Sequence, residues 1–298
     1  VDAETIATLP LSGQPDSIAI SADGRFAAIA IENERQDDEE PMPQSPSGFL
    51  QIVDLVGKPN KWKFRSVSFD GLPQRFPFDV EPEFVAINRW NIAAVTLQEN
   101  NHIALVHLPT GLILNHFSVG TTTHAADLTN GGGISFTQTL QNALLQPDGI
   151  AWTPQGNLIT ANEGDYDLDL GPNEFTGGRN FSIFSPFGPR LFDSGAQLEQ
   201  AIANAGRYVD SRSDDSGVEP EGAAVGFFGG KPYAFIGAER AASVGVYRLD
   251  NERSPSFVQI LPTGSRPEGL LPIPSRNLFV TSNEGDGTLS IFAFGADD

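Results

Sequence analysis

The amino-acid sequence predicts an all-β fold, a five-bladed β-propeller, and three observations point to it. A proline followed at once by an acidic residue occurs five times, each ahead of a β-like run with a glutamate near the end of the next one. The copies are Pro15-Asp16 with Glu32, Pro82-Glu83 with Glu99, Pro147-Asp148 with Glu163, Pro220-Glu221 with Glu239, and Pro267-Glu268 with Glu284. Each copy opens a set of short apolar runs divided by turn residues, and four-stranded units repeating at this period mark a propeller. The composition, with 31 Gly, 22 Pro and one Met in 298 residues, suits a turn-rich β protein.

Each unit follows the same grammar. The first reads PDSIAIS, RFAAIAI and FLQIVDL, with WKFRSVSF as a fourth strand; the second reads PEFVAIN, IAAVTLQ, HIALVHL and LILNHFSV. The third gives PDGIAWT, NLITAN, FSIFSP and PRLFDS, and the fourth PEGAAVG, PYAFIGA, SVGVYRL and SFVQILP. The fifth, PEGLLPIP, NLFVTS and TLSIFAF, runs out at Asp298 without a fourth strand. The segment TIATLPLSGQPDSIAI matches FVQILPTGSRPEGLLPI, so residues 1–11 are expected to supply that strand, with Thr5–Leu11 closing the last blade and covering its open edge. The expected organisation is one domain over 1–298, with blades near 12–70, 80–119, 146–194, 219–263 and 266–298.

Three inserts break the period. Residues 34–48 are acidic and proline-rich and read as a solvated loop. Residues 120–146 begin polar and Gly-rich and end in FTQTLQNALL, read as a short helix capped by Thr137. In 194–206, Ser194 and Gln197 form a capping box, Leu198 and Ile202 an apolar face, and Gly206 a stop, predicting a second decorating helix.

In a propeller blade the first strand lines the central channel, and the second runs antiparallel and returns to the same end. Proline suits strand entry because it fixes φ and needs no ladder partner there. Asp16, Glu83, Asp148, Glu221 and Glu268 are therefore expected at one mouth with Glu32, Glu99, Glu163, Glu239 and Glu284. So many carboxylates cannot stay ionised together without cations, protons or hydrogen-bond donors. Ca2+, which takes six to eight hard oxygen ligands, is the expected occupant; the competing reading is that the acids staple neighbouring blades through backbone N–H groups. Asn33, Asn100, Asn162 and Asn283, beside the strand-two acids, suit either role. Asp165, Asp167 and Asp169 with Gly171 offer a second cation site, although the glycine and Glu174 fall outside EF-hand spacing. The run from Asp214 to Glu219 leads into Pro220 and extends the mouth. Arg179, Arg212 and Arg240 are the cations beside these acids, available to grip an anion or to neutralise carboxylates.

Eighteen basic against 38 acidic residues give a net charge of −20, which argues against nucleic acid and anionic membrane as partners and for cations, or anions bridged by a metal. No cysteine is present, which excludes disulfides and thiolate metal sites. No apolar run is long enough to span a bilayer as a helix. There is no G-x-S-x-G elbow, P-loop or H-E-x-x-H motif. The four histidines lie between His102 and His124 at spacings that suggest no metal pair; His107 reads as structural and His124 as the one to test.

The blocks EPEFVAIN, VTLQENNHIALVHL, QPDGIAW, TANEGD, RSDDSGVEPEGAAVG and YAFIGAER together resemble the choice-of-anchor I group, which includes proteins named mesenchyme-specific cell surface glycoprotein. The resemblance runs from about Leu9 to Phe294. It implies a secreted or surface-attached propeller of a kind often described as alkaline-phosphatase-like or phytase-like, an extracellular setting, and calcium. It transfers no catalytic residue. Members tend to carry an arginine soon after ANEGD, where this chain reads Tyr166-Asp167-Leu168-Asp169.

The expected function is thus a calcium-stabilised propeller, monomeric unless part of a larger chain, that binds a glycan, a matrix component, a phosphorylated small molecule or a protein. The start at Val1 is read as processed or internal, with a signal peptide removed and a location outside the cell, at its surface or in the periplasm. The main alternative is a Ca2+-dependent phosphoesterase at the same mouth, with Glu163, Glu239 or Glu284 as general base. A glycosidase would also use paired carboxylates, but Trp62, Trp90 and Trp152 read as core rather than as sugar platforms.

Overall fold

The computed structural model describes residues 5–32, 43, 45–163 and 177–295. It divides into two units, Val1–Ser118 and Val119–Asp298. The first unit holds two four-stranded antiparallel sheets with strands in sequence order. They are β1 (Gln14–Ile20), β2 (Phe26–Glu32), β3 (Phe49–Asp54) and β4 (Lys63–Ser68), then β5 (Pro82–Ile87), β6 (Ile92–Leu97), β7 (His102–His107) and β8 (Leu112–Ser118). Leu50 and Ile52 of β3 pack with Val85, Ala93 and Val95, so an apolar core joins the two sheets face to face.

The second unit begins with a two-stranded sheet, β9 (Thr121–Ala126) and β10 (Gln138–Leu144). Two four-stranded sheets follow, β11 (Pro147–Trp152) to β14 (Arg190–Asp193) through β12 (Leu158–Asn162) and β13 (Asn180–Phe184), and β15 (Pro220–Phe228) to β18 (Ser256–Pro262) through β16 (Lys231–Ala238) and β17 (Ser243–Arg248). The last sheet has three strands, β19 (Pro267–Ile273), β20 (Leu278–Asn283) and β21 (Thr288–Ala293). Phe181 and Ile183 pack with Ala223, Ile236 and Tyr247, while Val244 and Val246 pack with Phe279. The chain is all-β, a propeller of five blades, two in the first unit and three in the second.

Every blade carries a β-bulge just after its proline. Pro15 pairs with Ile31 but Ile18 with Ile29, and the same slip separates Pro82 from Val85, Pro147 from Ile150, Pro220 from Ala223, and Pro267 from Gly269. Proline has no N–H to give the ladder, so a register slip beside it forfeits little. The acid after each proline sits inside that bulge.

Three expectations are corrected. Residues 5–11 form no strand; Leu11 instead packs on the cluster of Ala27, Ile29 and Ile31 in the first blade, and the fifth blade keeps three strands. The segment expected as a Thr137-capped helix is β10, because Leu140 and Ala143 find a buried partner strand in the threonine-rich β9. The helix near 194–206 exists as α1 (Gln197–Asn204), but its N-cap is Ala196 without a side-chain cap, and the Ser194 hydroxyl accepts the Phe181 N–H instead. Gly206 follows the helix at φ 70°, the left-handed geometry that ends it.

Candidate metal centre

The bulges bring acids of neighbouring blades together. In the first unit Gln14 and Pro15 lie opposite Glu32 and Ile31, so the start of β1 and the end of β2 share one end of the blade. The Gln14 amide donates to Glu32 Oε2 at 3.2 Å, and Ser17, next to Asp16, accepts the Val85 N–H of the second blade at 3.3 Å. That contact draws the two bulges close. Asp16, Glu32 and Glu83 each offer an oxygen within 4.8 Å of the others. Two oxygens on opposite sides of a Ca2+ ion are about 4.6–5.2 Å apart, given ligand distances of about 2.3–2.6 Å, so the three acids are close enough to share one such ion.

In the second unit glycine does what Ser17 does in the first. The motif there is Pro-acid-Gly: Pro147-Asp148-Gly149, Pro220-Glu221-Gly222 and Pro267-Glu268-Gly269. A side chain at Gly149 would collide with the Glu221 carbonyl and the Ala223 nitrogen of the next blade, and one at Gly222 would press on Leu270. This close approach gathers Glu163, Glu219 and Glu221, with an oxygen of each within 4.8 Å of the others. Glu219 enters because it stands at φ 47° before Pro220, and its carbonyl accepts the Glu239 N–H at 2.9 Å. Gln146 and Arg266, before Pro147 and Pro267, share this left-handed geometry and receive the N–H of Glu163 and Glu284 in the same way. A non-glycine residue held at positive φ ahead of proline stores backbone strain at the acid-bearing end of three blades.

The two clusters differ in charge. Glu219 is buried, and its carboxylate is held by the Ser216 hydroxyl and by Arg212 and Arg240. Burial works against its charge, but the Ser216 hydroxyl and the two guanidinium groups keep it below the usual carboxylate range. Glu221 goes the other way: burial, a hydrogen bond with Glu239, and the charges of Glu163 and Asp148 push it up to about 12. Burial, then Glu284 and Glu239, raise Glu268 as well. Glu239 is itself paired with Arg240 at 3.1 Å and Arg266 at 3.2 Å. The second unit thus manages its acids with protons and arginines, whereas the first brings three carboxylates close enough to share one cation.

The family model matching the chain is that of the choice-of-anchor I domain, over residues 1–173 and 169–252. The chain belongs to the choice-of-anchor I family. Such a domain suggests a surface-associated protein, and no helix among the described residues is long and apolar enough to cross a membrane. Gigasin-3a of Magallana gigas is 28% identical over 106 residues, covering 30% of this chain, and that match spans 37% of Gigasin-3a. Among solved structures, the periplasmic gluconolactonase PpgL of Pseudomonas aeruginosa aligns with TM-score 0.55 and 12% identity over 94% of this chain and 66% of its own. A functionally unknown protein of Desulfotomaculum acetoxidans aligns with TM-score 0.51 and 15% identity over 95% and 70%. At these identities the likeness is one of fold alone.

The other residues singled out in this choice-of-anchor I chain fall as follows. The amide of Asn100 clamps the 75–81 loop through the carbonyls of Arg75, Phe76 and Asp79 and the Glu81 N–H. Asn162 and Asn283 make matching networks with Thr160 and Ser182, and with Thr281 and Ser290. All three are structural. Glu99 is not in the first cluster; its carbonyl accepts the Arg75 guanidinium. Arg179, expected as an anion grip, is wholly buried and donates to the carbonyls of Asp127, Ser213 and Asp215, so it ties loops together. Arg212 and Arg240 neutralise Glu219. Trp90, expected in the core, is exposed with Arg89 stacked on it. Asp165, Asp167, Asp169 and Asn33 lie outside the described residues.

Proposed function

We propose that the chain is a calcium-binding propeller of the cell surface or extracellular space, which holds Ca2+ between its first two blades and presents it to an anionic glycan, matrix component or protein. The observation that supports this is the mutual spacing of Asp16, Glu32 and Glu83. Three carboxylates supply half or fewer of the ligands Ca2+ takes, leaving positions for water or for a ligand's own oxygens. An ion there would also relieve three like charges and pin β1 to β5, so binding and stability are linked.

The second reading, a Ca2+-dependent phosphoesterase, draws support from a different observation. In the second cluster Glu221, whose pKa is pushed up to about 12, stands beside Glu163, and two neighbouring carboxyl groups of unequal acidity are the pairing general acid–base chemistry uses. Glu239 is less suited to the base role because two arginines hold it.

Calorimetric titration of the metal-stripped protein with Ca2+ separates these readings, with Asp16→Asn and Glu83→Gln beside the wild type and hydrolysis of p-nitrophenyl phosphate followed in parallel. Binding that both variants lose, without hydrolysis, supports the first reading. Calcium-dependent hydrolysis lost in Glu163→Gln supports the second. No calcium binding by the wild type refutes both.

A further inference from the structure

In the second unit the blade ends away from the acid cluster form a pocket of their own. Pro147 opens β11 and Ser243 opens β17 at the acid-bearing end, so the turns 153–157, 185–189 and 249–255 lie at the other. The first of these turns brings Gln155 and Asn157 to a cavity of about 310 Å3, and the third brings Asn251, Glu252 and Arg253. Ser185 of the second turn and Leu191 of β14 complete the lining.

The lining is held in place by one carboxyl group. Glu252, only 2% exposed, accepts the Gln155 N–H at 3.1 Å on one oxygen, and the Thr153 hydroxyl and the Asn157 side-chain amide, both at 2.7 Å, on the other. The Thr153 hydroxyl oxygen in turn accepts the Asn157 N–H at 3.0 Å. A buried side chain of the fourth blade thus clamps a whole turn of the third. Across the cavity, Asn251 Oδ1 accepts the Arg253 N–H at 3.0 Å, and the Asn251 carbonyl accepts the Ser254 N–H at 2.9 Å. Both turns are therefore ordered before any ligand arrives, which lowers the cost of binding one. The clamp also decides what remains for a ligand. Glu252 accepts on both oxygens, so Asn157 must give it the NH2 group and keep Oδ1 as a spare acceptor. The Gln155 amide, the Asn251 side-chain NH2 and the Arg253 guanidinium have no hydrogen-bond partner among the described residues.

These groups select a class of ligand. Spare donors and spare acceptors alternate in one small space, and a hydroxyl group both donates and accepts, so several hydroxyls on a rigid frame match them. Leu191 adds one apolar surface for the C–H face of a ring. The single cation, Arg253, is offset by Glu252, and a chain with a net charge of −20 repels free anions, so the match is to a neutral molecule. The cavity is at the small end of the range for ligand pockets, about 300–1,000 Å3, which suits one ring rather than an extended chain. We propose that this pocket binds a neutral saccharide, a single sugar residue or the end of a glycan, without a metal ion. It shares no residue with Asp16, Glu32 and Glu83, so it stands whether or not calcium binds there.

The test is titration of the protein, in chelator, with the methyl glycosides of glucose, galactose, mannose and N-acetylglucosamine, followed by saturation-transfer NMR. Sodium glucuronate and inorganic phosphate are titrated alongside. At least one neutral glycoside is expected to bind in the millimolar range, and more tightly than either anion. The double variant Gln155→Ala with Arg253→Ala, at two exposed positions and so expected to keep the wild-type melting temperature, should weaken that binding by at least about tenfold. Glu83→Gln should bind the glycoside as the wild type does. A wild type that binds none of these glycosides overturns the proposal. Glucuronate or phosphate bound more tightly than every glycoside overturns it in favour of an anion site built on Arg253. Glycoside binding that the double variant keeps overturns it too, by placing the sugar elsewhere on the molecule.

Discussion

Glu221 and Glu239 share a hydrogen bond between their carboxyl groups, across the first and second strands of the fourth blade. Burial, that hydrogen bond and the charges of Glu163 and Asp148 push Glu221 up to about 12. Glu239 faces Arg240 and Arg266, while Glu221 faces Glu163 and Asp148. The proton stays on Glu221.

The two positions should then respond differently to the same substitution. Glu221→Gln keeps a donor for Glu239 and removes no charge, and should change stability by less than about 1 kcal/mol. Glu239→Gln takes a carboxylate from Arg266 and leaves Arg240 with Glu219, and should cost about 2 kcal/mol, less than a fully buried pair because both arginines are partly exposed. Urea unfolding of both variants in chelator measures the difference. Equal losses would mean that Glu221 is charged.

Gly149 makes a second prediction. Its missing side chain lets the third blade touch the Glu221 carbonyl and the Ala223 nitrogen, both backbone atoms that cannot swing aside. Gly149→Ala should therefore destabilise by about 1–3 kcal/mol through overpacking, and Gly229→Ala, whose added methyl meets nothing, serves as a control in which only the positive φ matters. Loss of the distinction in thermal unfolding would show that the blades are not locked at Gly149.

The proline pattern told where strands begin because proline restricts the backbone at its own position, a local effect that sequence carries. Pro82, Pro147, Pro220 and Pro267 each open a strand, and Pro15 stands second in β1. The bulge after each was not legible, since it is a property of two strands in register. Nor was Glu219, whose place among the acids comes from a left-handed φ rather than from the repeat. The strand at 138–144 was hidden because QTLQNAL has a single β-branched residue, Thr139; its strand state comes from its partner, Thr121–Ala126. Arg179 looked like a free cation next to acids, and only tertiary packing shows it spent on carbonyls.

Calcium should act on the two clusters unequally. At a hundredfold excess over its dissociation constant, an ion stabilises the fold by about 2.7 kcal/mol. Glu83→Gln should abolish most of that gain while changing metal-free stability little, because it removes one of three like charges. Glu219→Gln should do the reverse, lowering metal-free stability by taking from Arg212 and Arg240 the buried carboxylate they share, though each keeps a second acid, while leaving the calcium response in place. Melting curves with calcium and with chelator give both quantities for each variant. A calcium response lost in Glu219→Gln and kept in Glu83→Gln would move the ion to the second unit.

Glu199, on the inner side of α1, ties stability to pH. It is fully buried, neither carboxylate oxygen has a hydrogen bond of normal geometry among the described residues, and Gly217 has no side chain to fill the space beside it. Burial raises its pKa to about 7 from 4.5, against the opposing pull of Arg179, His124 and the Val218 N–H. The native state therefore holds a proton that the unfolded chain releases above pH 4.5. More protons bound in the native state means that stability falls as pH rises, here between pH 4.5 and about 7, and levels off above. The shift corresponds to about 3 kcal/mol across that window. Glu199→Gln, which cannot ionise, should lack this slope. The wild-type minus variant difference from urea unfolding at a series of pH values isolates it, since the rest of the sequence is common to both proteins. A difference that stays flat from pH 4.5 to 7 would show that Glu199 is charged in the native fold throughout, held so by Arg179 and His124.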